Sequence, residues 1–199
     1  GYVHGHTYGG KAGLNLQPIY EAGNPVENLI DHPSWINYMM HFIGGRGTFD
    51  QLHGPLFIDE NFANIRGPGE AIGIHSGNPE GLQRNHYRYQ DGKFHCSQVN
   101  ILLALTDIGP GDGGTVIIPS SHKSNIKHPE FKANKMMKGG KASSAAGMTA
   151  AKEIYMKAGD GLIFVDSLWH GSAKRINKGE RRIAVYRYGP SWGFFRHPY

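Results

Sequence analysis

The sequence predicts a mainly β protein that folds as a jelly-roll or a related barrel, with a few helices in front of the strands. Two observations support this fold class. Gly (29) and Pro (11) account for 40 of the 199 residues and show no collagen-like period, and turn residues at this frequency are typical of all-β domains. Seven or eight short segments of strand character also follow one another after residue 46, bounded by turn residues.

Length and composition define the class of protein further. A chain of 199 residues fits a single domain and can bury a core without a disulfide or a structural metal. The charged fraction of 19% is too low, and the aromatic fraction of 11% too high, for a disordered protein. No apolar run approaches the length of a transmembrane helix. The first residues match no signal peptide and lack Met, so we expect a fragment or a processed product.

Charge and cysteine content bear on the partners of the protein. The formal net charge is +5, but the basic residues are scattered, with dense stretches at 127–141 and 174–182. No nucleic-acid-binding motif accompanies them, so we expect no nucleic acid or membrane partner, and the charge suits a small anionic substrate. The single Cys96 excludes a disulfide and fits a reducing compartment, so we expect a cytoplasmic protein. The 12 His residues justify a search for a metal site.

The N-terminal part of the chain is expected to hold the helices. Residues 1–23 are Gly-rich without periodicity and predict an irregular arm. Asn24-Pro25 is a typical helix start and predicts a short helix over 25–31. A second helix is expected from Pro33 onward, because its apolar residues are spaced for one face that packs into the core. These residues are Trp35, Ile36, Met39, Met40 and Ile43.

The strands are expected in the rest of the chain. They are predicted at 47–54, 86–90, 93–107, 115–119, 153–171 (a pair around Gly159-Asp160-Gly161) and 181–190. Asp91-Gly92 has the signature of a hairpin turn. Residues 60–83 hold five Gly and two Pro and predict a long loop, and residues 134–151 predict a mobile insertion. A long loop in a compact domain is usually functional.

Candidate functional residues lie in the segment 159–188. An apolar strand ends at Trp169-His170, a polar turn follows, and the next strand begins with Arg181-Arg182. The 11-residue spacing lets His170 and Arg181 point into one cavity, and alternation then directs Arg182 to the opposite face. Imidazole binds Fe(II) or Zn, and guanidinium grips a carboxylate with two parallel hydrogen bonds. A surface His beside a basic turn would give the same spacing.

A second segment carries a resemblance when it is combined with the first. LTDIGPGDGGTVIIPSSHKSN at 105–125 indicates on its own only a turn, a strand and a loop. Together with LWHGSAKRINKGERRIAVYRYGP at 168–190, it resembles the phytanoyl-CoA dioxygenase family over roughly 86–190, with a weaker likeness back to 33–43. The resemblance implies a single oxygenase-like domain over 1–199 without the family's N-terminal portion. It also implies a double-stranded β-helix, a cupin-like barrel, that binds non-haem Fe(II) and 2-oxoglutarate.

The resemblance also implies roles for individual residues. His170 matches the family's distal metal-binding His, and Arg181 matches the Arg that pairs with the distal carboxylate of 2-oxoglutarate. His122 falls in a loop that is structural in the family. The family's other metal motif, His-x-Asp, occurs nowhere in this sequence. Related halogenases lack the carboxylate as well and fill its place with halide.

Three histidines are candidates for the missing first ligand. His53 is preferred, because LHG follows an alternating strand as the family's first His does. Pro55 occupies the position of the acid, so Asp59 or Glu60 would have to supply an oxygen from nearby.

His86 and His95 also remain open as the first ligand. His86 fits the family's distance to the strand ILLAL at 101–105 better, but Arg88 in the acid's place would repel a metal. His95 lies close to the same strand. A chain with no first His at all is a fourth possibility.

The resemblance leads to a functional expectation. We expect an Fe(II)- and 2-oxoglutarate-dependent dioxygenase, of EC 1.14.11 type, that hydroxylates a small organic substrate and releases succinate and CO₂. His53 and His170 would hold the iron, Arg181 would hold 2-oxoglutarate, and the 60–83 loop would cover the substrate. A second hypothesis is a metal-free ligand-binding or interaction module that keeps the barrel. A third is a zinc or nickel site of cupin type built from the many His residues.

Overall fold

The structure is a computed structural model that describes residues 4–7, 13–43, 54–75, 87–124, 126–134 and 145–191. Within these ranges the chain forms strands and short helices, numbered in chain order. The strands are β1 His4–Thr7, β2 Leu14–Gln17, β3 Leu56–Arg66, β4 Ile72–His75, β5 Tyr87–Gln90, β6 Lys93–Cys96, β7 Val99–Ala104, β8 Thr115–Ile117, β9 Lys152–Ile154, β10 Gly161–Val165, β11 His170–Ser172 and β12 Arg181–Pro190. The α-helices are α1 Asn24–Glu27, α2 Ile36–Phe42 and α3 Phe131–Asn134, and 3₁₀ turns cover Ile19–Ala22, Ser121–Lys123 and Ala145–Gly147.

Eight strands form two antiparallel sheets that enclose a barrel. In the larger sheet β3, β12, β7 and β10 lie side by side, with β2 and then β1 added beyond β3. The smaller sheet has the order β4, β11, β8, β9, and β5 pairs with β6 in a separate hairpin. The chain passes back and forth between the two barrel sheets, which makes the fold a double-stranded β-helix. The predicted mainly β, jelly-roll class is therefore confirmed.

Side-chain alternation in β7 shows which face of the larger sheet lies inside. Val99 and Ile101 pack on the outer face, against Trp35 and other residues of the helical region. Leu102 points the other way and packs with apolar residues of β10 and β12 inside the barrel. Since side chains of a strand alternate between faces, Asn100 lies on the inner face as well.

The helical region covers the outer face of the larger sheet. The apolar stripe predicted for the second helix is buried, as expected, at Trp35, Met39 and Ile43. Tyr186 and Tyr188 of β12 donate their hydroxyl protons to the carbonyl oxygens of Val26 and Ile30, both at 2.7 Å. These bonds fasten the helical segment to the sheet.

Two predictions about irregular segments are wrong. The sequence predicts an irregular arm over 1–23, but β1 and β2 extend the larger sheet, with β2 paired to β3. It predicts a loop over 60–83, but 60–66 complete β3 and 72–75 form β4, while 76–83 lie outside the described residues. Residues 4–7, 14–17, 60–66 and 72–75 form strands because neighbouring strands supply their backbone hydrogen bonds, and such non-local pairing overrides a Gly-rich composition.

Several predicted boundaries change in detail. The predicted strand at 93–107 is interrupted at Ser97-Gln98, and its C-terminal part ends at Ala104. In the predicted insertion 134–151, residues 135–144 lie outside the described residues, and Met148 is buried in the apolar cluster outside the smaller sheet. Of the predicted strand 47–54, residues 47–53 lie outside the described residues. Across the described ranges, none of the helices is both long and apolar enough to cross a membrane.

Candidate functional site

Two imidazole side chains meet at one end of the barrel interior, which we call the mouth. His75 is the last residue of β4 and His170 is the first residue of β11, and they are register partners in the smaller sheet. Their ring centroids lie 4.2 Å apart. Phe164 of β10, on the larger sheet, packs edge-on against His170 with the centroids 4.9 Å apart. The histidine pair therefore lies between the two sheets.

Backbone contacts determine the protonation of the two rings. Nδ1 of His75 lies 2.9 Å from the carbonyl oxygen of Gly73, and Nδ1 of His170 lies 2.6 Å from that of Leu168. A carbonyl oxygen can only accept, so each Nδ1 carries the proton and each Nε2 keeps its lone pair. Burial lowers the pKa of both imidazoles, and the proximity of His75 lowers that of His170 further, because two charged rings so close together would repel each other. Two neutral imidazoles oriented through Nδ1–H are the usual form of metal-binding histidines.

The opposite end of the interior, which we call the floor, carries buried arginines. Arg66 ends β3 and Arg181 begins β12; they are register partners and are 1% and 2% exposed. Arg181 donates to Asn64 Oδ1 at 3.1 Å and to the carbonyl oxygen of Gly113, in the Gly-rich turn before β8. Arg66 donates to Ser172 Oγ at 2.7 Å and to two backbone carbonyl groups.

The floor holds more positive than negative charge. A third buried guanidinium, Arg175, pairs with the Asp112 carboxylate at 2.9 Å, but the acceptors of Arg66 and Arg181 among the described residues are all neutral oxygens. Burial and the neighbouring guanidinium charges lower the pKa of Arg66 to about 10 and that of Arg181 to about 9. The Nε atoms of the three arginines are buried without a hydrogen-bond partner in the described part of the chain. Such a floor suits an anionic group.

Ser172 links the floor to the histidine pair. It lies two residues after His170 on β11 and therefore shares the inner face. Its Oγ accepts hydrogen bonds from Arg66 and, at 3.0 Å, from the backbone N–H of Ile72. A hydroxyl has two acceptor positions and one proton, so Ser172 retains its proton to donate to a group inside the barrel.

The wall of the mouth formed by the larger sheet is polar. Arg187 of β12 donates from Nε to Asn100 Oδ1 at 2.9 Å, and its Nη1 lies 2.7 Å from Glu60 Oε2. Asp166 Oδ1 accepts from Asn100 Nδ2 at 3.1 Å and lies 3.5 Å from Arg187 Nη2. Burial alone would raise the pKa of Asp166, but the charge of Arg187, with the Asn100 amide and the neighbouring imidazoles, outweighs it and holds the pKa below its usual value. Asp166 is therefore ionised beside the histidine pair.

A bulge in β3 brings another carboxylate to this wall. The register between β3 and β12 shifts next to the Arg187–Glu60 pair, which leaves Asp59 unpaired in the ladder. Asp59 accepts a hydrogen bond from Gln98 Nε2, and Glu60 pairs with Arg187. Two consecutive carboxylates thus contact side chains of the same inner wall.

The structure places some of the sequence candidates and not others. His170 lies at the mouth and Arg181 on the floor of the same barrel, whereas Arg182 is exposed and pairs with Glu180 at 2.7 Å. The preferred partner His53 and the second candidate His86 lie outside the described residues. His95 lies on β6, in the hairpin that belongs to neither barrel sheet.

The PSSHK segment supports β11. Ser121 Oγ accepts a hydrogen bond from the backbone N–H of Trp169 at 2.9 Å, immediately before His170. The His122 ring packs edge-on against Tyr87, with the centroids 4.6 Å apart. The structural role expected for His122 agrees with these contacts.

The sequence interpretation missed His75, because it treats 60–83 as a loop. A local signal is present in the sequence: Ile72 and Ile74 alternate with Gly73 and His75, and turn residues follow at 76–79. This pattern, a His at the end of a short apolar strand before a turn, is the same as the sequence pattern around His170.

The side chains at the mouth match two of the three positions of a 2-His-1-carboxylate metal site. Within the described ranges, no group of three His, Cys, Asp or Glu side chains is arranged to hold a metal ion. The acids considered from the sequence, Asp59 and Glu60, are bonded to Gln98 and Arg187 instead. Among the described residues, the mouth thus offers two imidazole side chains of metal-ligand type, and the nearby Asp166 carboxylate is held by Asn100 and Arg187.

Curated relatives share part of the chain. Dioxygenase cdmA of Talaromyces verruculosus is 30% identical over 124 residues, which cover 57% of this chain and 36% of that protein. Dioxygenase cdmD of the same organism is 29% identical over 102 residues, which cover 51% of this chain and 26% of that protein. The chain therefore spans well under half the length of either relative.

Solved structures share the fold at low sequence identity. HygX from Streptomyces hygroscopicus, with nickel, 2-oxoglutarate and hygromycin B bound, has a TM-score of 0.73 at 21% identity, over 96% of this chain and 74% of that chain. The 2-oxoglutarate-dependent epimerase SnoN from nogalamycin biosynthesis has a TM-score of 0.59 at 12% identity, over 94% of this chain and 65% of that chain. At these identities the likeness shows the fold alone.

The family match extends over most of the chain. Residues 18–183 match the family described as Phytanoyl-CoA dioxygenase (PhyH). This range begins before the first helix, includes every strand from β3 to β11, and ends inside β12 after Arg181. The double-stranded β-helix observed here is the fold that the sequence motifs at 105–125 and 168–190 implied. The chain therefore belongs to the phytanoyl-CoA dioxygenase family.

Proposed function

We propose that the chain is an Fe(II)- and 2-oxoglutarate-dependent oxygenase that hydroxylates a small organic molecule and releases succinate and CO₂. The proposal rests on one observation above all: His75 and His170 pair at the mouth of a barrel whose floor holds Arg181. A pair of metal-ligand type and a site of anion-binding type thus share one interior. The structure of HygX, which has the same fold, contains nickel and 2-oxoglutarate.

The two histidines would hold the metal through Nε2. Their Nδ1–H groups are already bonded to the carbonyl oxygens of Gly73 and Leu168, so both rings are oriented before a metal arrives. Iron, when bound, supplies the redox chemistry with O₂. His75 replaces His53 as the proposed first ligand, because His75 is the register partner of His170.

The floor would hold the far carboxylate of 2-oxoglutarate. Arg181 offers a planar guanidinium whose Nε has no partner in the described part of the chain. Ser172 offers its hydroxyl proton, because Arg66 and the Ile72 amide already fill its acceptor positions. Apolar residues of β7, β10 and β12 cluster inside the barrel and would exclude water around the methylene groups.

Metal binding by the purified chain tests the proposal. We expect one Mn(II) per chain, measured by loss of the free Mn(II) signal in electron paramagnetic resonance. Replacement of His75 or His170 by Ala should lower the affinity at least tenfold, since one of very few ligands is lost. His95→Ala is the matched control and should bind as the wild type does. If His53→Ala or His86→Ala abolishes binding while His75→Ala does not, the assignment of His75 is wrong.

The metal-free module remains a second candidate, favoured by the lack of a third protein ligand among the described residues. The two candidates differ in a simple measurement. An oxygenase forms succinate from 2-oxoglutarate when Fe(II) and O₂ are present, even if slowly without its substrate. A chain that binds neither Mn(II) nor 2-oxoglutarate would support the module instead.

A further inference from the structure

Among the described residues, the mouth carries a net negative charge, whereas the floor and the chain as a whole are positive. Among the described residues, the polar wall of the mouth carries the carboxylates of Asp59, Glu60 and Asp166 and the single guanidinium of Arg187. This leaves an excess of two negative charges, although the chain has a net charge of +5. Fe(II) and 2-oxoglutarate, as a dication and a dianion, would not neutralise this excess.

The wall is accessible to a ligand. Side chains of Glu60 and Arg187 keep 26% and 22% of their surface exposed. The bulge in β3 gives this wall two consecutive carboxylates where a regular strand would direct one of them away. Bulges of this kind are frequent next to active sites, where they re-aim a side chain.

One polar atom of the wall lacks a partner. Gln98 is 5% exposed and directly precedes β7, and its backbone carbonyl oxygen accepts a hydrogen bond from the N–H of Asp166 at 3.1 Å. Its Nε2 donates to Asp59, but its Oε1 is buried without a hydrogen-bond partner in the described part of the chain. A buried carbonyl oxygen without a donor is costly, so a ligand that brings N–H or O–H donors would satisfy it.

These observations bear on the substrate of the proposed oxygenase. An acyl chain placed against this wall would remove carboxylates from water without compensating bonds, which is strongly unfavourable. An ammonium group would pair with the excess carboxylates, and hydroxyl groups would donate to the acceptors around it. We propose that the mouth binds a hydroxylated, amine-bearing small molecule as the substrate, recognised by Asp59, Glu60 and Gln98; this rests on the proposed function.

The two ends of the interior then divide the ligands by charge. The floor would bind the anionic cosubstrate, and the polar wall of the mouth would bind the cationic substrate beside the histidines. Each end would repel the ligand of the other end, so the two molecules would be sorted before reaction. This differs from the anionic substrate that the net charge of the sequence suggested.

A matched series of probes tests the inference. Glucamine, sorbitol and gluconate share one carbon skeleton with hydroxyl groups and differ in carrying a cation, no charge or an anion at one end. Calorimetric titration of the 199-residue chain, without metal, should show glucamine binding about tenfold tighter than sorbitol, with gluconate weakest. Added salt should reduce this preference.

Two variants test whether the probes bind at the polar wall of the mouth. Asp59→Asn keeps the shape of the side chain and should remove most of the preference for glucamine. Glu60→Gln should act in the same direction and serves as a second variant if Asp59→Asn does not fold. Asp160→Asn is the control, because Asp160 lies at the other end of β10 from Asp166, where it bonds the Lys157 amide at 2.7 Å.

The outcomes separate the inference from the proposed function. Equal or undetectable binding of glucamine and sorbitol would overturn the inference, as would equal effects of Asp59→Asn and Asp160→Asn. Mn(II) and 2-oxoglutarate titrations on the same sample test the proposed function independently. A chain that binds Mn(II) and 2-oxoglutarate but shows no preference for glucamine would remain an oxygenase with a different substrate.

Discussion

Arg66 and Arg181 face each other as register partners on the floor of the barrel, and in the described part of the chain neither is paired with a carboxylate. The two buried guanidinium charges repel each other, and an anion bound between them would relieve this repulsion. Burial and this repulsion lower the pKa of Arg181 to about 9. We therefore expect the floor to be an anion site that is formed before ligand arrives.

Succinate and 2-oxoglutarate should stabilise the metal-free chain. A ligand at about 100 times its Kd stabilises the fold by about 2.7 kcal/mol, so we expect the Tm to rise by roughly 5–10 °C. Differential scanning calorimetry with sodium chloride at equal ionic strength is the control. An equal rise with chloride would mean that general screening, and not a carboxylate site, is responsible.

Arg181→Lys should weaken 2-oxoglutarate binding, because lysine keeps the charge but lacks the planar fork. We expect the Kd to rise about tenfold or more in calorimetric titration, from the loss of charged hydrogen bonds. Arg182→Lys is the matched control, since its side chain is exposed and pairs with Glu180. Similar effects of the two changes would contradict the assignment of Arg181.

Gly171 determines how closely β11 and β4 approach. A Cβ at this position would lie 2.6 Å from the carbonyl oxygen of Ile72 and 3.0 Å from that of Gly73, so Gly171→Ala must separate the two strands. Because His75 and His170 lie on these strands, we expect Mn(II) affinity to fall about tenfold while the far-ultraviolet circular dichroism stays unchanged.

The control for this change is Gly147→Ala. A Cβ at Gly147 meets nothing within 4 Å, so the same substitution there should leave both metal affinity and stability near the wild-type values. If Gly171→Ala binds Mn(II) as tightly as Gly147→Ala, the spacing of the two strands does not control the metal site.

Cys96 should be unreactive in the native chain. Burial raises the pKa of its thiol from 9.0 to about 12, so at pH 9 the folded protein holds a thiol where the unfolded chain is half thiolate. We expect the reaction with a disulfide reagent at pH 9 to be at least tenfold slower than in denaturant, since only the thiolate reacts. A native rate equal to the denatured rate would contradict the burial of Cys96.

The same shift makes stability depend on pH at the alkaline end. Above pH 9 the unfolded thiol releases its proton while the folded thiol keeps it, so the free energy of unfolding falls with rising pH, by up to about 1.4 kcal/mol per pH unit. Between pH 9 and 10 this loss precedes that of the buried tyrosines, which ordinarily titrate at 10.0. Cys96→Ala should remove this early part of the decline in urea denaturation.

Features that depend on neighbouring residues were predictable from the sequence. The apolar stripe around Trp35 and Met39 follows helical spacing, and both residues are buried. The opposite orientation of Arg181 and Arg182 follows strand alternation and is what the structure shows. The motifs at 105–125 and 168–190 were sufficient to indicate the family and its fold.

The partner of His170 was decided only by the tertiary structure. His75 precedes His170 by 95 residues, and the two meet because β4 pairs with β11 in a particular register. In the same way, the bulge that aims Asp59 and the opposition of Arg66 and Arg181 arise from the pairing of β3 with β12. Local patterns report which face of a strand a residue occupies, but strand order and register depend on hydrogen bonds between distant segments, which no local pattern encodes.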